Sequence, residues 1–376
     1  MKNKIKEYLP IAVLAVMVII IAALLIIKQG GGEGGTGATP NGSGSNNQSS
    51  GNTETKAYTF YGFQEGDEFI KYFNTVCEVM DYSGMTASEF SALCSDIEER
   101  LQYYHKLFDI YNTYDGVVNI ASLNATAGKG EVAVSPELFE FLEYCVWIHE
   151  ITGGETNVAM GSVLSIWHDY RQAGIEDPSN AKIPSAEELL EAAKHTSIEN
   201  LVLNSDGYTV EITDSLTSLD VGAIAKGYTA EKIADYLKSR GITSFILNFG
   251  GNIRAIGAKP SGEGWKTGIQ KPSGFGYIKY FYIKDTSVVT SGDYQRYYIV
   301  NNVLYHHVID GDTLMPAEGF SSVSIITENS ALADGLSTAL FCMSYEEGIS
   351  VVDALRTKGY TLSVVWLRQS GEVLEY

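Results

Sequence analysis

Asp334 and Thr338 stand four apart in SALADGLSTALFCMS (330–344), an Ala- and Leu-rich run that reads as a helix, so both side chains share one face. A carboxylate with a hydroxyl is a hard oxygen pair. It suits Mg2+, which takes few protein ligands and completes its shell with phosphate and water oxygens. Such pairs also occur on ordinary helices; an acid on an otherwise apolar one sets this apart. SLDVGAIAKGYTAEKIADYLKS (218–239) begins like a strand, breaks at Gly222 and continues as a helix with Lys226 and Gly227 in its first turns. It is neither G-x-x-x-x-G-K-[ST] nor G-x-G-x-x-G, so both common nucleotide fingerprints fail. A helix N-terminus still offers free N–H groups and a positive dipole end to an anion, with Asp220 and Lys226 beside it. The plain alternative is a βα turn with a solvated lysine.

In VVTSGDYQRYYIVNNVLYHHVIDGDT (288–313) two strand-like stretches flank a turn at Asn301-Asn302, and TSGD (290–293) reads as a polar turn. His306 and His307 precede Ile309-Asp310, a pairing fit for acid–base chemistry. Neighbours on a strand face opposite ways, so at most one histidine serves a given site and either is equally a structural histidine. LNFGGNIRAIGA (247–258) breaks a strand at Gly250-Gly251, giving a tight turn or a close ligand approach. No G-x-S-x-G, H-E-x-x-H or EF-hand loop occurs, which removes the common hydrolase, zincin and calcium classes.

These residues need a scaffold. Thr86 and Glu89 form a capping box for a helix over 86–112, with apolar residues recurring from Phe90 to Phe108. Ser135-Pro136 starts a second helix to about Ile151, and Ser185 with Glu188 caps a third. Residues 201–212 read as a hairpin turning at Asp206-Gly207; 244–249, 277–284 and 321–327 read as strands, and 361–367 as the strand that closes the chain. Helices and strands mix without strict alternation, which gives an α+β (mixed α/β) fold.

The 376-residue chain divides into three parts by composition. Residues 1–28 open with three lysines in 1–8 and continue as an uncharged apolar run over 9–27, long enough to span a bilayer and followed by no Cys or A-x-A cleavage site. They read as an uncleaved membrane anchor with the lysines inside, the alternative being a long cleaved signal. The rest is exported either way. Residues 29–56, rich in Gly, Ser, Thr and Asn, read as a flexible linker, and 57–376 as the globular part. A net charge of −20 argues against nucleic acid and against docking on an anionic membrane surface, so a phosphate ligand must be held by local groups. Cys77, Cys94, Cys145 and Cys342 lack C-x-x-C spacing and read as buried free thiols.

Five of these segments, LDVGAIAKGY (219–228), ILNFGGNIRAIG (246–257), VVTSGDY (288–294), YHHVIDGDT (305–313) and LADGLSTALF (332–341), resemble in order and spacing the ApbE-type FAD:protein FMN transferase family. HKLFDIYN (105–112) and ITGGETNVAMGSVLSIW (151–167) resemble its upstream stretches, so the likeness covers roughly residues 70–365. The resemblance implies that Asp220 and Lys226 contact FAD, that Tyr111 lies against the flavin nucleotide, and that Val308 and Ile309 line the FAD pocket. Mg2+ would be held by the backbone oxygen of Ala223 with Asp334, Ser337 and Thr338, and His307 would be the acid–base residue. Glu155, Thr156 and Asn157 replace the family's F-D-P-T stretch, and Phe73 in FNT stands at the usual M-G-T. HVIDGDTL departs from H-x-I-D-P-x-T-G by losing the Pro and the Gly.

The implied activity is Mg2+-dependent transfer of FMN from FAD to a Thr or Ser hydroxyl of an acceptor protein, releasing AMP, on the extracytoplasmic side of a single-pass membrane protein. Two rival expectations are an FAD pyrophosphatase giving FMN and AMP, and a tethered covalent flavin carrier in electron transfer. The carrier has a handle in Thr36-Gly37-Ala38-Thr39, which resembles the [S/T]-G-A-[S/T] acceptor motif and makes Thr39 a flavinylation candidate, unless the Gly/Thr-rich linker produces it by chance.

Overall fold

The computed structural model describes residues 55–64 and 67–376. The anchor and nearly all of the linker, Thr39 included, lie outside the described residues. Eight strands build one sheet: Lys56–Thr59, Cys77–Asp81, Ser244–Phe249, Asn252–Gly257, Ser287–Gly292, Phe320–Thr327, Leu362–Arg368 and Val373–Glu375. Their order across the sheet is their order along the chain, and every neighbouring pair is antiparallel.

One sheet face is packed under helices. Val79, Phe245, Leu247 and Phe249 meet Ile97 and Leu101 of the Ala87–Phe108 helix and Ile233 and Leu237 of the Ala225–Ser239 helix. Val289, Val323, Ile325 and Trp366 meet Leu336 and Leu340 of the Ser330–Cys342 helix and Phe141 and Ile148 of the Pro136–Ile151 helix. Ile246, Ala255 and Val288, one residue out of phase, join a separate cluster with Trp265 and Ile283. This is the period-2 alternation that puts successive strand residues on opposite faces.

The capped helices fall where their signals stand. Thr86 and Glu89 close a capping box on the Ala87–Phe108 helix, Ser135 caps Pro136–Ile151, and Ser185 with Glu188 boxes Ala186–Ala193. Two expectations are corrected. Thr290, Ser291 and Gly292 belong to the Ser287–Gly292 strand, not to a turn, because they pair with Ser324, Val323 and Ser322. Leu362–Arg368 is not the last strand; Val373–Glu375 turns back and pairs with it at the sheet edge. Asn301 and Asn302 turn the Tyr297–Val300/Val303–His306 hairpin with φ of 51° and 64°, the paired positive values of a two-residue hairpin loop.

Residues 55–267 and 281–376 form one compact unit, and Gly268–Tyr280 a second. Within the second, Gln270 Nε2 donates to Gly274 O at 2.8 Å and Phe275 is exposed. Among the described residues no helix is long and apolar enough to cross a membrane, and all four cysteines are free thiols, Cys342 being only half-buried.

Candidate active site

Two helices meet at Asp334. The Ala225–Ser239 helix has Ile224 at its N-cap and no side-chain cap, so its first-turn N–H groups need acceptors from elsewhere. Gly222 N–H donates to Asp220 Oδ1 at 2.9 Å, and Gly227 N–H donates to Asp334 Oδ2, from the neighbouring helix, at 2.8 Å. Only glycine permits this approach: a Cβ at 227 would stand 2.3 Å from Ser330 O and 2.5 Å from Asp334 Cβ. Lys226 Nζ lies 3.4 Å from each Asp334 carboxylate oxygen and from Gly222 O, a set of long contacts. Burial raises the Asp334 carboxyl above its ordinary range, opposed by Lys226 and the Gly227 N–H.

A short row of hydroxyls continues from that carboxylate. Ser337 Oγ donates to Asp334 O at 2.9 Å and lies 2.8 Å from Ser291 Oγ, which is 3.5 Å from Thr338 Oγ1. The Ser337 hydroxyl is therefore already engaged, whereas Thr338 Oγ1 has only the long contact. Ala223 sits half-buried in the turn between Gly222 and Ile224. Among the described residues no group of three His, Cys, Asp or Glu could hold a metal ion. One carboxylate, hydroxyls and a backbone oxygen fit Mg2+ brought in with phosphates and do not fit a closed zinc site.

The two histidines divide their roles. His306 is buried, with Nε2 2.9 Å from Ala317 O and Nδ1 accepting from Val308 N–H at 3.3 Å, which makes it a neutral structural residue. His307 follows the strand end. The residue is half-buried, and its Nδ1 is enclosed with no hydrogen-bond partner among the described residues. Its ring value is pushed down to about 3, by burial first and then by the positive charges of Arg296, Arg171 and Lys226. It is neutral at pH 7.

A second group of charges surrounds Asp220. Burial raises the Asp220 carboxyl, while the Gly222 N–H, Arg296, His168 and Arg171 hold it down. Arg171 Nη2 lies 3.0 Å from His168 Nδ1, and the half-exposed Tyr111 ring sits 5.4 Å from the His168 ring. Arg296 donates to Asn74 O at 3.3 Å. His307 feels both groups, the arginines on one side and Lys226 on the other. His168, Arg171, Ser291 and Arg296 were not singled out from the sequence. Their available signals were the His168/Arg171 spacing of three on one helix, and a lone arginine just past TSGD.

The other expected residues are placed as follows. Thr156 is buried and its hydroxyl donates to Gly335 O at 2.8 Å, tying its loop to the Asp334 helix. Asn157 bridges Thr196 O and the Ala159 N–H, at 2.8 and 2.9 Å, so its side chain shapes the loop. Glu155 is pushed up to about 6 by burial and by Asp310, Asp312 and Glu347, which sets it in an acidic neighbourhood away from the cations. Phe73, at φ 52°, takes its N–H to His105 Nδ1 at 3.5 Å and packs its ring on the core and edge-on to the His105 ring. Val308 and Ile309 are buried. Gly250 and Gly251 make a turn, with φ of 63° and 87°.

A family model described as the ApbE family matches residues 73–361. The chain is 33% identical over 292 residues to the FAD:protein FMN transferase of Treponema pallidum, covering 74% of this chain and 78% of that one. It is 29% identical over 249 residues to the FAD:protein FMN transferase of Vibrio cholerae, covering 65% and 72%. Among solved structures, the ApbE protein of Thermotoga maritima matches with a TM-score of 0.71 at 27% identity, over 85% of this chain and 96% of that one. The flavin transferase ApbE of Vibrio cholerae matches with a TM-score of 0.67 at 24% identity, over 86% and 97%, a likeness of fold alone.

Proposed function

The chain belongs to the ApbE family and is an FAD:protein FMN transferase, and on that premise we propose that it transfers FMN to a Thr or Ser hydroxyl with Mg2+, releasing AMP, on the extracytoplasmic side of a membrane. The observation that carries the site assignment is the Asp334 carboxylate, shared between the Gly227 N–H and a loosely held Lys226, with hydroxyls beside it. Asp334, Thr338, Ser337 and the Ala223 backbone oxygen would hold the metal. When bound, Mg2+ supplies a Lewis acid for the charge that grows on the diphosphate as its bridging bond breaks.

The chain's own residues do the rest. Lys226, in the first turn of the Ala225–Ser239 helix, faces phosphate oxygens with its positive charge at the positive end of the helix dipole. His307, neutral at pH 7, takes the acceptor hydroxyl proton. The hydroxyl oxygen then bonds to the FMN phosphorus, the bond to the bridging oxygen breaks, and its electron pair leaves with AMP. Asp220, Tyr111, Phe73, Glu155, Thr156, Asn157, Val308 and Ile309 make up the FAD pocket, with Thr156 and Asn157 serving through the loop they shape. The apolar run at 9–27 would anchor the domain outside the membrane, and Thr39 in the linker is an acceptor within the chain's own reach.

Incubating the chain with FAD and MgCl2, with and without a protein bearing the [S/T]-G-A-[S/T] motif, tests the reaction. Covalent FMN on the motif hydroxyl with stoichiometric AMP is expected. Free FMN with AMP and no adduct would replace transfer by FAD hydrolysis. Mass spectrometry of the same sample reads Thr39; an unmodified linker removes it as an acceptor.

A further inference from the structure

Arg171 and Arg296 are brought together by packing. The Gly161–Glu176 helix lies against the Tyr297–Val300 strand so closely that a Cβ at Gly174 would stand 2.5 Å from the Tyr298 ring. Arg171 is one turn before that contact and Arg296 one residue before the strand. Burial first and then the Arg296 charge lower the Arg171 value, opposed by Tyr111 and Asp220. Among the described residues neither guanidinium has a carboxylate in ion-pair contact; their hydrogen bonds go to His168 Nδ1 and Asn74 O. Because the Arg171 guanidinium can only donate, His168 Nδ1 accepts and its Nε2 carries the proton, one more donor in the same place. Two guanidinium groups on packed neighbouring elements, with Asp220 nearby but in ion-pair contact with neither, keep donors for an anion with several oxygens, which their planar forks bind in pairs.

Resting on the transferase reading, we infer that Arg171 and Arg296, aided by the His168 Nε2–H, grip the diphosphate of FAD and set the enzyme's demand for a phosphorylated flavin. Lys226 then faces the same group from the Asp334 side, so the diphosphate lies between two sets of cations with His307 at their boundary. Neither arginine belongs to the metal set, and neither donates a proton in the reaction. They are binding residues, and their work is read in affinity and in its salt dependence.

The test is FAD affinity of the full chain in MgCl2, followed by flavin fluorescence across a NaCl series. Arg171→Gln and Arg296→Gln should each weaken FAD roughly tenfold or more and flatten the salt dependence, since each removes a charge-assisted contact. Arg171→Lys should recover the salt slope but only part of the affinity. Melting temperatures should stay near wild type. Variants that bind FAD within about twofold of wild type, or that lose affinity with an unchanged salt slope, overturn the inference and leave the transferase reading standing. A wild-type chain that fails to bind FAD overturns both.

Discussion

Asp334→Asn separates chemistry from architecture. The substituted amide oxygen still accepts the Gly227 N–H, now at 2.8 Å, so the two helices keep their contact. What goes is the negative charge facing Lys226 and, in the proposed site, the metal. Losing that ligand removes charge stabilisation of about 3–4 kcal/mol, or about 10²–10³-fold in transfer rate. Stability follows different signs. Burial raises the Asp334 carboxyl, so its ionised form costs the folded chain stability at neutral pH, a cost that fades as pH falls and the group protonates. Asparagine removes that cost. Against it stands the lost pair with Lys226, 3.4 Å away with a side chain 25% exposed, worth about 1 kcal/mol or less. The metal-free variant should therefore melt close to wild type. In-gel flavin fluorescence of the acceptor reads the rate, and melting with and without MgCl2 reads the metal. Wild type should gain about 2.7 kcal/mol at a hundred times its dissociation constant, the variant nothing. Incorporation within about tenfold of wild type at saturating Mg2+ would refute the assignment. A collapse in the metal-free melting temperature would instead make Asp334 a structural cap.

Three further outcomes follow from contacts already described or adjacent to them. His307→Gln should slow transfer by about 10²–10⁴-fold; it should also flatten acid unfolding, because a folded value near 3 against 6.5 means stability is intact above pH 6.5 and lost as pH falls toward 3. Urea melts at several pH values check this, and parallel curves for both proteins would count against it. Gly227→Ala forces a Cβ to within 2.3 Å of Ser330 O, so about 1–3 kcal/mol of stability should go together with transfer; an active, fully stable variant would show that the helices do not need this approach. Glu231 accepts from Arg254 Nη2 at 2.9 Å and from Ser330 N–H at 2.7 Å, joining both site helices to the sheet around a guanidinium that is 2% exposed. Glu231→Gln should cost about 3–5 kcal/mol in urea unfolding, and a loss under about 1 kcal/mol would contradict that role.

The parts legible in the sequence were those written in local chemistry. A Thr or Ser followed three residues later by Glu can close a capping box, and Thr86 with Glu89 and Ser185 with Glu188 do so at helix starts. The Asp334/Thr338 spacing needed only helical geometry. TSGD was misread because Thr, Ser, Gly and Asp favour turns in isolation, while here pairing with Ser322–Ser324 decides the outcome. Arg171, His168 and Arg296 escaped for a related reason. Each looks like a surface residue along its own segment, and only the packing of the Gly161–Glu176 helix on the Tyr297–Val300 strand makes them neighbours. Conversely Thr156 and Asn157 stood in a binding stretch, yet their polar atoms are taken by Gly335 O and Thr196 O.

His307 and Asp334 are both held away from their ordinary proton affinity, in opposite senses. Burial and the cations Arg296, Arg171 and Lys226 make His307 a weak base; burial alone makes Asp334 a reluctant anion. A diphosphate among those cations cancels much of their effect on His307 and raises its basicity toward the range where a general base works. A divalent metal at Asp334 favours its ionised form in the same way. Each ligand thus offsets a cost that burial imposes on its partner residue, and each also attracts the other. Binding of FAD and Mg2+ should be mutually reinforcing by the same factor in both directions, as linkage requires. FAD titrations with and without the metal, set beside Mg2+ titrations with and without FAD, measure that factor twice. Independent binding would mean that His307 and Asp334 do not share one charged space, and the division of labour built on that space would fall.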